Sequence, residues 1–289
     1  MRTAVALGLG QEQLDVKLCC NSGQAFRWIR SGDEWVGIDG QRLFRLWLTD
    51  LGWVGESEPR AGDEEALSRY FRLDADLNAI RSRIAVCDER WAPIVAGLPG
   101  LRLIRWSVPE ECLISFLCTS ANNIPRITGM IARLCEAYGE PLRGAGKMFP
   151  TVDRLSLLEP EALYALGFGY RGRTVANVAR SLVERGDGWL DSLREVGYWE
   201  AKRELMQLPG VGAKIADCVL LLGLDFAEAV PVDTHLWQAV AKIALPELRG
   251  ASITEARYRM VVDFFHDRFG ALSNWAHQYL FTAHLRGML

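Results

Sequence analysis

The sequence predicts an α+β protein: a small N-terminal antiparallel β domain, then a mainly helical two-domain body that contains a helix–hairpin–helix motif. Three observations predict it. Before about residue 75, short segments rich in Trp, Phe, Val and Leu are separated by Gly-containing turns, the pattern of paired strands. Beyond that point apolar residues recur three and four apart, the spacing of helices. Finally, "PGVG" (209–212) interrupts one helical stretch and another resumes at Ala213.

The strands are expected at "QAFRWIR" (24–30), "EWVGI" (34–38), "RLFRLWLT" (42–49) and "LGWVGES" (51–57), with "SGDE" and "DGQ" as turns and "RAGDEE" as a polar exit. Helical spacing then appears in "EEALSRYFRL", "ADLNAIRSRIA" and "PEECLISFLCTSA". It resumes from about Ile127 to Gly139, then in "DRLSLLEPEALYAL", "TVANVARSLVERG" and "YWEAKRELMQL", and fills most of the last hundred residues, ending in "LSNWAHQYLFTAHLRG".

Composition bounds the function. A chain of 289 residues with 49% hydrophobic and 24% charged side chains is ordinary globular material. Its apolar runs fall short of the roughly 18 residues of a spanning helix, and "MRTAVALGLG" is too weak for a secretory signal. The expectation is therefore a protein that is neither secreted nor membrane-bound, placed in the cytoplasm or nucleoid of a prokaryote or the nucleus of a eukaryote. Seven scattered cysteines without a C-x-x-C pair argue for buried thiols rather than a disulfide framework or zinc site, and nothing after Cys218 completes an iron–sulfur cluster. The net charge is −3, yet residues 101–180 hold 10 basic against 7 acidic side chains. That bias suits a nucleic-acid footprint and a solvated surface equally well.

The chemistry concentrates around the "PGVG" turn. Its glycines permit positive φ and leave backbone N–H groups uncovered at the start of the next helix, where an anion is favoured. A plain αα-hairpin with a glycine cap fits those four residues equally well. The residues beyond the turn are more specific. Lys214 sits in the first turn of the second helix, where the helix dipole makes a cation unfavourable, and a nucleophilic amine must be neutral to attack. Asp233, in "PVDTHLWQ", precedes an apolar-periodic run and reads as an N-cap. The dipole disfavours the charged amine and a nearby carboxylate favours it; spacing alone does not rank the two.

"LPGVGAKIADCVLLLGLDFAEAVPVDTHLWQ" (208–238) resembles the helix–hairpin–helix, Gly-Pro-Asp signature of base-excision DNA glycosylases, and its lysine is similar to that of the 8-oxoguanine DNA glycosylase family. "NSGQAFRW" (21–28), "YFRLD" (70–74), "ECLISFLCTSANNIPRITGM" (111–130), "LGFGYRGR" (166–173) and "WAHQYLF" (275–281) resemble other segments of that family in the same order, so the resemblance covers nearly the whole chain. It implies a division into residues 1–88, a helical domain of 89–109 with 210–289, and a basic helical domain of 110–209. It also implies a bifunctional glycosylase/lyase that acts, as a monomer, on double-stranded DNA containing oxidised guanine. By position, Lys214 would attack C1′ and Asp233 would stabilise the sugar cation. Gly23, Cys218, His277 and Phe281 would hold the flipped base, with the Gly23 carbonyl accepting from N7–H. Amides of Gly210, Gly212 and Ile215, with His235, would bind phosphates. Tyr170 would wedge into the stack, and Asn123, Arg126 and Arg171 would serve the estranged cytosine. No cofactor is implied beyond a K+ or Na+ ion on the carbonyls of Met206, Leu208 and Val211.

Two departures from the family stand out. Ala121 occupies the place of an asparagine that fills the space left by the flipped base, and His277 that of a glutamine reading the lesion's Watson–Crick edge. Two other functions compete: a monofunctional glycosylase for alkylated bases, against which Lys214 argues, and a non-enzymatic helix–hairpin–helix DNA-binding protein, which leaves the Lys214–Asp233 pair unexplained.

Overall fold

The computed structural model describes residues 4–59, 62–142 and 146–289. Five antiparallel strands form one sheet in the order β1-β5-β4-β3-β2. They are β1 (Val5–Ala6), β2 (Trp28–Ser31), β3 (Glu34–Asp39), β4 (Arg42–Thr49) and β5 (Gly52–Glu58). Ser31 pairs with Glu34, Asp39 with Arg42 and Thr49 with Gly52. Each hairpin thus turns in two residues, the tightest connection that matches strand twist. Trp28 on β2 lies over Gly37 of β3, where a Cβ would come within 2.2 Å of the indole. The ring stacks on Phe44, 6.1 Å away, and its Nε1 donates to Tyr70 Oη at 2.7 Å.

The first expected strand starts late. Residues 24–27 lie outside β2, although the Arg27 carbonyl still accepts from the Ile38 amide at 3.3 Å. Gln24 is instead buried against residues 102–104: its Nε2 donates to the Arg102 carbonyl (3.0 Å) and its Oε1 accepts from the Ile104 amide (2.9 Å). Ahead of it lies a short helix, Val16–Cys20, capped by Asp15 and too brief to leave a readable period. Of the "RAGDEE" exit, Arg60 and Ala61 lie outside the described residues.

The helical expectations hold with shifted ends. Asn123 caps the helix Ile124–Tyr138, its Oδ1 accepting from the Arg126 amide at 3.0 Å, so that helix begins three residues before the expected Ile127. The stretch after residue 152 divides into Val152–Ser156 and Pro160–Ala165, since proline has no N–H to continue a helix but suits its first turn. Six of the seven cysteines are buried thiols, as expected of small hydrophobes. Among the described residues no helix is long and apolar enough to cross a membrane.

A single apolar core joins the sheet to the helices and sets the site's position. Trp91 Nε1 donates to the Ala276 carbonyl at 2.9 Å. Arg72 and Arg105 both pair with Asp225, in the segment between the helix Ala213–Leu222 and Asp233. The Trp106 amide donates to the Leu222 carbonyl at 2.8 Å. The helix carrying Lys214 is thereby tied at its C-terminal end to the segment that leaves the β domain.

Candidate active site

The helices Tyr198–Leu205 and Ala213–Leu222 enclose the glycine turn. Gly210 needs to be glycine twice over: its φ is +73°, and a Cβ would meet Thr174 Cγ2 at 2.6 Å. The turn is exposed at Pro209, Gly210 and Gly212, and among the described residues no acceptor meets the amides of Gly210, Gly212 or Ile215. These are the donors left over at a helix start, available to an anion. Met206, Leu208 and Val211 supply carbonyls from the same turn, and that of Leu208 already accepts the Val211 amide at 3.1 Å. Neutral carbonyl oxygens suit a hard monovalent ion. No cluster of His, Cys, Asp and Glu among the described residues could hold a metal.

Lys214 is half-buried in the first turn of its helix. Its Nζ donates to Thr119 Oγ1 at 3.1 Å and sits 5.1 Å from the centre of the Phe116 ring. Among the described residues no carboxylate pairs with it. Asp233 caps the helix Thr234–Ile243 in extended geometry, as the sequence predicts. Its Oδ1 accepts from both the His235 and Leu236 amides at 2.9 Å, which leaves Oδ2 for the cavity that Asp233 lines.

That cavity brings together residues from one end of the chain to the other. Gly23, Lys214, Cys218, Asp233, His277 and Phe281 all line it. Gly23 has φ +76°, and a Cβ there would stand 3.1 Å from the Phe281 ring. Ser22 and Gln24, on either side, are buried and hydrogen-bonded, and Gln278 Nε2 donates to the Ser22 carbonyl at 3.1 Å. The glycine is therefore held rigidly against the aromatic wall. Burial pushes the Cys218 thiol up to about 11, so at neutral pH it is an apolar wall and not a nucleophile. The free volume of about 40 Å³ has room for only a few waters, so a purine enters only when the walls part.

His277 is tied to the backbone just before Asp233. Its Nε2 lies 3.0 Å from the Pro231 carbonyl, which can only accept, so Nε2 carries the proton. Burial lowers the imidazole to about 4 and keeps it neutral. With the proton on Nε2, the buried Nδ1 carries a lone pair, and among the described residues no donor meets it. The ring stacks on Phe281 at 6.2 Å.

A larger cleft of about 970 Å³ opens over this cavity and shares Gly23, Lys214, Asp233 and Phe281 with it. Its other walls include Ala121, Asn123, Gly210, Gly212, Ile215 and His235. On its far side Tyr170 is 64% exposed, and its Oη donates to the Ser120 carbonyl at 3.2 Å. Arg126 is exposed as well. Arg171 is not. It is 4% exposed, stacks over Tyr170 and donates to the Ser120 and Ala121 carbonyls. Its Nε and Nη2 are engaged on those two carbonyls. Ala121 itself has φ +45°, a conformation that an alanine adopts only at a cost.

Thr119 and Phe116, which hold the amine, carry no signal in the sequence that marks them as part of the site. Ninety-five positions separate Thr119 from Lys214, and no local pattern could have paired them. The same is true of Gln278, which braces the Gly23 loop.

Residues 6–113 match the 8-oxoguanine DNA glycosylase N-terminal domain, and residues 114–261 match the HhH-GPD superfamily of base excision DNA repair proteins. The chain is 35% identical to the N-glycosylase/DNA lyase OGG1 of Arabidopsis thaliana over 96% of its own length and 80% of the plant protein. It is 29% identical to the N-glycosylase/DNA lyase of Saccharomyces cerevisiae, over 97% of its length and 86% of the yeast protein. The 8-oxoguanine glycosylase/lyase of Clostridium acetobutylicum, solved with double-stranded DNA containing cytosine opposite 8-oxoguanine, has a TM-score of 0.85 to it at 26% identity, covering 96% of this chain and 93% of that one. A 3-methyladenine DNA glycosylase from Archaeoglobus fulgidus, 17% identical with a TM-score of 0.70, shares the fold. The chain belongs to the HhH-GPD superfamily of base excision DNA repair proteins, among its 8-oxoguanine N-glycosylase/DNA lyases.

Proposed function

We propose that this protein is a bifunctional DNA glycosylase/AP lyase that removes oxidised guanine from duplex DNA. The observation that carries this reading is the single cavity where Lys214, Asp233, Gly23, Cys218, His277 and Phe281 meet. Chemistry at C1′ and readout of a base both need a nucleotide taken out of the stack. The flipped base parts Phe281 from Cys218 and lies between them. An oxidised guanine carries a hydrogen on N7 where guanine has a lone pair, so the Gly23 carbonyl accepts from the lesion and repels the normal base. The Lys214 amine attacks C1′ as the bond from C1′ to the base breaks; the nitrogen gives up a proton, and the base leaves with the bonding electrons and takes up a proton. Asp233 offsets the positive charge that develops on the sugar. Cleavage of the C1′–O4′ bond opens the sugar, leaves O4′ on C4′ as a hydroxyl and gives a Schiff base between C1′ and the lysine nitrogen, and removal of a C2′ proton then expels the 3′ phosphate.

The exposed hairpin amides and His235 hold backbone phosphates, and Tyr170 fills the stack beside the flipped nucleotide. The turn carbonyls of Met206, Leu208 and Val211 seat a monovalent cation that steadies the hairpin. The protein works as a monomer on double-stranded DNA. Borohydride trapping on duplexes bearing 8-oxoguanine tests the reading: a covalent adduct with base release supports it. Base release without an adduct points to a monofunctional glycosylase, and neither product to a binding protein.

Opposite-base choice rests on Arg126, Arg171 and the backbone around Ala121. A methyl group neither fills the space of the departed base nor hydrogen-bonds across it. Ala121→Asn is therefore expected to strengthen the preference for cytosine over adenine, since each base contact contributes roughly 1–3 kcal/mol of discrimination. Asn also tolerates the left-handed conformation better than Ala does, so the melting temperature should hold or rise. Single-turnover excision from four duplexes that differ only in the opposing base checks this. An unchanged ratio would remove Ala121 from opposite-base choice.

A further inference from the structure

The segment leading into Asp233 has no secondary structure of its own, yet Val230, Pro231 and Val232 are buried. Buried backbone groups need partners, and here two side chains supply them to one peptide unit. The Pro231 carbonyl accepts from His277 Nε2 at 3.0 Å. The amide nitrogen of the same peptide bond, that of Val232, donates to Tyr258 Oη at 3.2 Å. Tyr258 comes from the helix Glu255–Phe269 and His277 from the helix Ser273–Leu285, so two separate elements grip one peptide plane from opposite edges. Asp233 is the next residue.

Tyr258 is itself held. Its hydroxyl donates to Asp217 Oδ2, in preference to the Val230 carbonyl at 3.4 Å. Asp217 is fully buried and also accepts from Lys202 Nζ at 2.7 Å and from Tyr198 Oη at 2.8 Å. Lys202 closes the group over the Tyr258 ring, 4.7 Å from its centre. Asp217 lies three residues after Lys214 on the same helix. A continuous set of hydrogen bonds thus joins the Lys214 helix to the peptide that seats Asp233. A buried carboxylate held by three donors, one of them its matched cation, has little freedom to rearrange.

We propose that Tyr258 is a positioning residue for base excision: with His277 it clamps the Pro231–Val232 peptide plane and so sets where the Asp233 carboxylate stands relative to Lys214. The inference rests on the role of Asp233 in the proposed glycosylase reaction. It predicts an effect on the step that builds positive charge on the sugar, and little on Schiff-base formation at an abasic site, whose open aldehyde reacts without that charge.

The test compares Tyr258→Phe with Tyr198→Phe. Each removes one hydrogen bond to Asp217, but only the first releases Val232. Single-turnover excision of 8-oxoguanine should fall about tenfold or more in Tyr258→Phe, since displacements near 1 Å cost up to roughly 10²-fold. Trapping at a preformed abasic site and duplex affinity should stay within about twofold of wild type, and Tyr198→Phe should excise normally. In an Asp233→Asn background, Tyr258→Phe should add nothing, because both act through one group. Wild-type excision by Tyr258→Phe, equal losses in the two tyrosine variants, additivity with Asp233→Asn, or parallel loss of trapping would each overturn the clamp. If Asp233→Asn excises normally, the assignment of Asp233 fails; if it is impaired while Tyr258→Phe is normal, only the clamp fails.

Discussion

Lys214→Gln is expected to abolish both the borohydride-trapped adduct and base release while leaving duplex affinity close to wild type. The amine is the only group proposed to bond to C1′, and glutamine's amide is not a nucleophile at neutral pH. In the proposed reading DNA is held by the amides of Gly210, Gly212 and Ile215, which the substitution does not touch. The fold should tolerate the change. Lys214 is half-buried and donates to Thr119 Oγ1, a hydrogen bond that a glutamine NH2 group can also make. Removing a cation from the first turn of a helix is favourable by about 0.3–1 kcal/mol, so the melting temperature should hold or rise slightly. Trapping with a duplex containing 8-oxoguanine, alongside a gel-shift titration, reads both parts. Adduct formation that persists would mean another amine does the chemistry. A parallel loss of DNA binding would mean that Lys214 holds the backbone rather than reacting.

Asp233→Asn should slow single-turnover excision by at least about 10²-fold, the size of a single electrostatic contribution in a preorganised site. The structure separates the two jobs of this carboxylate. Oδ1 accepts both capping amides, those of His235 and Leu236, and an asparagine oxygen does that about equally well. Turning the asparagine NH2 group towards those amides would set donor against donor, so the cap holds it oxygen-inwards. Only the charge facing the cavity is lost. Melting temperature should therefore change little, and duplex affinity less than the rate. An Asn variant as active as wild type would take Asp233 out of the mechanism. A large fall in melting temperature would show that the cap, not the charge, had been lost.

Much of this architecture was legible in the residues because its causes are local. Two-residue turns at Gly32-Asp33 and Gly40-Gln41 separate segments of strand composition, and alternation over a few residues then suffices to align β2, β3 and β4. Asp233 as an N-cap stems from its place before an apolar-periodic run, and Asn123 and Thr254 cap their helices in the same way. The ends that moved have local causes as well. Pro160 divides a helical stretch by lacking an N–H, and Asn123 with Pro125 starts the next helix earlier than its apolar period suggests. The family could also be read from sequence, because glycine spacing, lysine and aspartate recur in order across nearly the whole chain.

The sequence by itself determined that a glycine turn would present free amides at a helix start, that Lys214 would stand in that helix's first turn, and that an aspartate would cap the helix after it. Each depends on φ restrictions, capping or period within about ten residues. Tertiary structure alone decided which partners those groups meet. Thr119 reaches Lys214 across 95 positions; Arg171 turns inward to the Ser120 and Ala121 carbonyls instead of outward; His277 spends Nε2 on the Pro231 carbonyl 46 positions away. The physical reason is that a buried donor must find an acceptor wherever packing places one. That choice depends on how whole helices stack, and no local stretch of residues contains it.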